Sequence, residues 1–284
     1  MRVKALALVF LLAMTVSLAA QQPPANSPVP SDVYCSGLPT VEKMPGDTYV
    51  ISGEESGIKT TFTQGDLVYV NKGSAQGVKV GDEFQVIRAV HDPSATDLFA
   101  WQQILSVGMG NLYADVGRLK VVHTASNVST AEIVVSCDFM QRGDLAMRFA
   151  ERTIPAFKQE KFDRFAPVNG KPLAMVVHFK GYGMAGGIYS VAYVNLGTSK
   201  GVRVGSYFRI FRYQGQHDDA VYVPYEHAYA AEGYGKTPRF YQWNDLPREV
   251  VGEGIVLRVS PNAAAVLITY SVRAVYAGDY VELQ

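Results

Sequence analysis

Five groups able to hold a metal or move a proton stand close together in this chain: His217, Asp218, Asp219, Glu226 and His227. Imidazoles and carboxylates are common zinc ligands, so this stretch is where a metal-dependent hydrolase would keep its site. The spacing weighs against one, because nothing here matches His-Glu-x-x-His, which sets two imidazoles one helical turn apart. His91, His123 and His178 lie elsewhere, and the chain contains no Gly-x-Ser-x-Gly elbow. The glycine series Gly73, Gly77 and Gly81 invites a phosphate-cradle reading. A phosphate loop, however, needs a following Lys-Ser/Thr pair and a helix, and neither is signalled. The histidines therefore read as solvated loop residues, the glycines as turns, and no cofactor is expected.

The elements that would position any site are written twice. Tyr69-Val70-Asn71, Gly73, Gly77-Val78-Lys79-Val80-Gly81, Phe84 and Arg88 return as Tyr193-Val194-Asn195, Gly197, Gly201-Val202-Arg203-Val204-Gly205, Phe208 and Arg212. A second block, from Val116-Gly117 to Gly143-Asp144, returns from Val251-Gly252 to Gly278-Asp279. Such a duplication points to two copies of one small domain and to a modular binding or structural protein. Each copy reads as short strands separated by glycine turns. Alternation places Phe84 and Val86 on one face, Glu83 and Gln85 on the other. Glycine without a Cβ suits positive φ at turns, and Asn71 and Asn195 suit turn positions by hydrogen-bonding backbone. Closure of such strands into a barrel removes their exposed edges.

The expectation is an all-β protein of two tandem small β-barrel domains, of SH3-like or Greek-key type, with loop insertions. The copies should span 35–147 and 173–284, joined by a linker over 148–172. Lys and Arg total 26 and Asp and Glu total 26, so the net charge is zero. This balance gives no basic patch for nucleic acid. Arg2 and Lys4 precede an apolar run and then Ser17-Leu18-Ala19-Ala20. That is the form of a secretory signal peptide over 1–20, too short to span a membrane. The mature chain should carry no transmembrane segment and be exported, periplasmic or extracellular. Residues 21–34, rich in Pro, Ser and Gln, should be a disordered leader. Export permits a disulfide between Cys35 and Cys137, worth roughly 4–5 kcal/mol in the chain-entropy model.

Where the copies differ, function is to be sought. The insertion at 89–115 contains Trp101 within residues 98–105, a short amphipathic helix by pattern. The insertion at 213–250 carries Tyr222, Tyr225, Tyr229, Tyr241 and Trp243. Tyr and Trp offer broad, stiff, amphipathic surface suited to a protein partner or to sugar rings. These rings could instead pack as a lid over the barrel.

The pattern Tyr-Val-Asn-x-Gly-x-x-x-Gly-Val-x-Val-Gly-x-x-Phe, followed by Val-Gly and Gly-Asp, resembles the C-terminal β-domain of the flagellar assembly protein T, here in tandem. It is also similar to secreted envelope proteins of acidobacterial type, and more weakly to the β-domains of the rod-shape-determining protein C. The resemblance implies a non-enzymatic β-module of the bacterial envelope, contacting an envelope protein or peptidoglycan. The metal-dependent hydrolase using the 217–227 insertion and a ligand-free architectural spacer are the alternatives.

Overall fold

A computed structural model describes residues 27–93, 96–158, 161–213 and 247–284. The expected signal peptide, His217, His227 and the candidate contact residues Tyr222, Tyr225, Tyr229, Tyr241 and Trp243 lie outside them. The described residues are mostly strand, with two α-helices, so the all-β expectation holds.

Strands β2 (Val50–Gly53), β4 (Leu67–Val70), β5 (Glu83–Val90), β6 (Asn111–Thr124), β7 (Ser129–Ser136) and β9 (Leu145–Arg148) form an antiparallel sheet in the order β2-β4-β7-β6-β5-β9, with β1 (Leu38–Thr40) added against β6. Ala146 N–H donates to Thr48 O and Val50 N–H to Asp144 O, both at 2.9 Å, which joins β9 back to β2. Strands β10 (Leu173–Phe179), β12 (Val191–Val194), β13 (Tyr207–Arg212), β14 (Glu249–Val259), β15 (Ala264–Ser271) and β17 (Tyr280–Leu283) form a closed barrel in the order β10-β12-β15-β14-β13-β17. The strand order is the same in both. Each also carries a small pair at one end, β3 (Thr61–Phe62) with β8 (Met140–Gln141) and β11 (Ala185–Gly186) with β16 (Val275–Tyr276).

The repeated residues explain the shared path. Gly77, Gly81, Gly201, Gly205, Gly143 and Gly278 all have φ between +80° and +96°, which only glycine adopts without strain. Gly73 and Gly197 do something else: their φ values are −134° and −137°. A Cβ there would lie 2.2 Å from Ala125 O and 2.1 Å from Ser260 O, so these glycines let the β6–β7 and β14–β15 turns approach. Asn71 and Asn195 lock neighbouring strands: Oδ1 of each accepts a backbone N–H, from Tyr49 at 2.8 Å and from Met175 at 2.7 Å. Asp144 and Asp279 take more than a turn role. Arg88 grips Asp144 through Nε and Nη2 at 2.7 and 2.8 Å, and Arg212 grips Asp279 likewise at 2.5 and 2.7 Å. Each arginine also donates to a backbone carbonyl, Phe139 O or Ala274 O. These forks tie β5 to the β8–β9 turn and β13 to the β16–β17 turn.

Burial separates the copies. In β15, Ala264, Val266 and Ile268 fill the barrel interior, while Ala265 and Leu267 face outward and are equally buried. Strand β12 does the same, with Ala192 and Val194 inside, Val191 and Tyr193 outside. Strand β7 alternates instead, placing Glu132 at the surface between buried Ala131 and Ile133. The outer face of the second barrel is covered by α1 (Pro30–Tyr34), β1 and the end of α2 (Gln102–Met109) through Val33, Leu38 and Met109. The expected disordered leader therefore stops short of residue 34: Pro30 opens a helix because its missing N–H would have no helical partner there, and Val33 is fully buried.

This N-terminal arm is a wedge between the two sheets. The Cys35–Cys137 disulfide fixes it to the first, with Cα atoms 5.4 Å apart. Polar bonds fix it to the second: Tyr193 OH donates to Ser36 O at 2.7 Å and Ser260 Oγ to Pro39 O at 2.7 Å. Asp115, on β6, accepts from Gly37 N–H, Arg152 and Arg258, joining wedge, connecting segment and second barrel.

Candidate functional site

Helix α2 lies in the insertion between β5 and β6, where the copies diverge. Pattern alone places it at 98–105; it occupies Gln102–Met109. Residues 98–101 form the lead-in, in which Phe99 is buried and Trp101 takes φ +73° to turn the chain into the helix. Gly110, at φ +88°, ends it against β1, where a Cβ would sit 2.2 Å from Thr40 O. Gln102 anchors the first turn. Its Nε2 donates to Val177 O at 2.8 Å, and its Oε1 accepts from Leu98 N–H at 2.7 Å. Met109 anchors the last turn in the apolar cluster of the wedge.

The opposite face of α2 is apolar and open. Trp101, at the N-cap, and Ile104 and Val107, three residues apart within the helix and so on one side of it, are 66%, 63% and 74% exposed. Val41, just past β1, is also largely exposed. Of the aromatic residues singled out in the sequence, Trp101 is thus placed at the surface; Tyr222, Tyr225, Tyr229, Tyr241 and Trp243 lie outside the described residues. Ile104 falls inside the 98–105 pattern and Val107 beyond its end, and periodicity does not say which of two apolar faces is covered.

Beside this face lies a cleft of about 440 Å³, whose lining includes Val41, Val107, Asp92, Ser106, His178 and Tyr182. His178 Nε2 is 3.0 Å from Ser106 Oγ, and its Nδ1 is 3.8 Å from Asp92 Oδ2. The order Ser, His, Asp suggests a nucleophile and base, but the local hydrogen bonds assign other roles. Gln102 is oriented by its two backbone partners so that its Nε2, a donor, faces His178 Nδ1 at 3.4 Å. Nδ1 is then the acceptor, and Nε2 carries the hydrogen that it donates to Ser106. An imidazole in that tautomer cannot take the Ser106 proton, and Asp92 is beyond hydrogen-bond reach. Burial holds the His178 pKa below its usual value, with Asp92 and Asp97 pulling the other way. The pair is a clasp between α2 and β10. Tyr182 closes the cleft, donating to Val90 O at 3.2 Å, with its own pKa pushed by burial up to about 12.

No group of three or more His, Cys, Asp or Glu side chains among the described residues is arranged to hold a metal. Among them no helix is long and apolar enough to cross a membrane. The chain matches no known family model, and no curated protein sequence is significantly similar to it.

Proposed function

We propose that this chain is an exported, non-enzymatic module of the bacterial envelope, built as two tandem β-barrels, that docks an envelope protein through the outer face of α2. The observation that carries the reading is the group Trp101, Ile104 and Val107, three large apolar side chains left in water at the N-cap and along the face of a helix whose other face is anchored. Leaving such a row uncovered forgoes roughly 1.5–3 kcal/mol for each side chain that a partner would bury. Two of the three are aliphatic, which suits a protein surface better than sugar rings, since sugars favour aromatic platforms with polar rims. Peptidoglycan remains the alternative ligand, in keeping with the resemblance to envelope β-domains. Tyr222, Tyr225, Tyr229, Tyr241 and Trp243 of the second insertion are further candidates for contact with the partner.

A photo-crosslinker at position 104 tests this in periplasmic extract, beside co-sedimentation of the purified protein with sacculi. The expected result is one protein adduct, lost in the Trp101→Ala/Val107→Asp variant while far-UV dichroism is unchanged. Capture of the same adduct by that variant would remove α2 as the contact surface. Retention on sacculi without any protein adduct would favour the glycan.

A further inference from the structure

A second cleft, sharing no lining residue with the α2 site, opens beside the buried cluster where the wedge, the connecting segment and the second barrel meet. It measures about 920 Å³, and its lining includes Arg152, Arg203 and Arg258 with Ile154, Val204 and Leu257. No carboxylate lines it among the described residues.

Charge is unbalanced here. Among the described residues Asp115 is the single carboxylate behind the cleft, with its side chain 3% exposed. Its two oxygens already accept Gly37 N–H at 2.8 Å, Arg152 Nη1 at 3.2 Å and Nη2 at 2.9 Å, and Arg258 Nη1 at 3.2 and 2.9 Å. Two guanidiniums, both mostly buried, thus share one negative charge, leaving one positive charge uncompensated among the described residues. Burial drives the Arg258 guanidinium below its usual pKa, Arg152 adding to the fall and Asp115 opposing it. Arg152 Nη1 and Nη2 also donate to Val33 O and Gln85 Oε1. Arg258 donates only through Nη1 to partners among the described residues, so its Nε and Nη2 are left over. The exposed Arg203 guanidinium has no partner among them at all; only its backbone is held, by Ser206 Oγ. A partly buried, unbalanced cationic site with open guanidinium forks matches a carboxylate or phosphate oxygen pair. The apolar part of the lining, Ile154, Val204 and Leu257, matches a hydrocarbon segment rather than a free ion.

We propose that this cleft binds an amphipathic anion, with a carboxylate or phosphate head on Arg258 and Arg203 and an apolar tail along Ile154 and Val204. The ligand would be drawn in by the unpaired charge and held by the tail, so neither part alone should bind well. Calorimetric titration of the purified protein, below micelle-forming concentrations, tests this with octanoate, octyl phosphate, uncharged octyl glucoside and inorganic phosphate. Octanoate or octyl phosphate should bind once per chain, at least tenfold tighter than octyl glucoside and than inorganic phosphate; the tighter of the two identifies the head. The Arg203→Gln variant, whose side chain supports nothing else, should weaken that binding by about three- to tenfold. Arg258→Gln should abolish it if the variant folds; Arg203→Gln decides the matter if it does not. Equal binding of octyl glucoside, or undiminished affinity in Arg203→Gln, would overturn the proposal.

Discussion

Replacing both disulfide cysteines, Cys35→Ser with Cys137→Ser, should destabilise the protein strongly without unfolding it. The bond closes a sequence separation of 102 residues. In the chain-entropy model a loop of that length removes about 16 cal/mol/K from the unfolded chain, or about 4.7 kcal/mol at 25 °C. Native contacts of the wedge do not depend on the sulfurs. Val33 and Leu38 stay packed on the second barrel, and Ser36, Gly37 and Pro39 keep their partners Tyr193, Asp115 and Ser260. Far-UV dichroism of the variant should therefore match the parent. At roughly 2–4 °C per kcal/mol for chains of this size, thermal unfolding should move down by about 9–19 °C. Because the wedge also covers the second barrel, cleavage by a protease within residues 27–40 should accelerate in the same variant. Limited proteolysis with mass spectrometry reads this directly. A thermal midpoint within about 2 °C of the parent, or a wedge as resistant as before, would refute the reasoning that the arm is held at one end by the disulfide and at the other by packing.

Two further outcomes are expected. Tyr193→Phe should cost about 1–2 kcal/mol in urea unfolding, because it leaves the buried Ser36 carbonyl without its donor. Tyr69→Phe, at the same place in the first copy but only half-buried, should cost a few tenths, and equal costs would contradict the wedge contact. Stability should also fall as pH drops below about 6.5. His178 has a depressed pKa in the fold, so between its unfolded value and its lower folded one the unfolded chain takes up the proton preferentially. The slope attributable to it can reach about 1.4 kcal/mol per pH unit. His178→Gln should flatten that part of the profile, and an unchanged profile would show that His178 is not the titrating group.

Much of the fold could be read from the repeat. The positive-φ glycines at 77, 81, 201 and 205 mark turns whose backbone geometry is a local property, so residue type alone announces them. The recurrence of Arg88 with Asp144 and of Arg212 with Asp279 is a pairing signal present in the sequence itself. Both members return in both copies, and they meet as buried forks. Gly73 and Gly197 were harder, because their reason is a carbonyl from a turn far along the chain rather than their own φ. The site was less legible. Residue type marked Trp101 as a surface candidate, but periodicity could not tell which apolar face of α2 is buried. Nothing in the spacing of Gln102, Ser106 and His178 foretold their meeting.

The sequence by itself determined the all-β class, the turns and the repeated strand pattern, because strand alternation and glycine conformations are set within a few residues. It also supplied both cysteines of the disulfide. Only the tertiary structure decided how the copies use the same pattern differently. Ala265 and Leu267 are apolar on the outside of their barrel because the wedge covers them, whereas Glu132 on β7 faces water. The same distinction separates the two clefts from the rest of the surface. Arg152, Arg258 and Asp115 are distant in the chain, and their unequal charge becomes a property of one place only when packing removes the water between them.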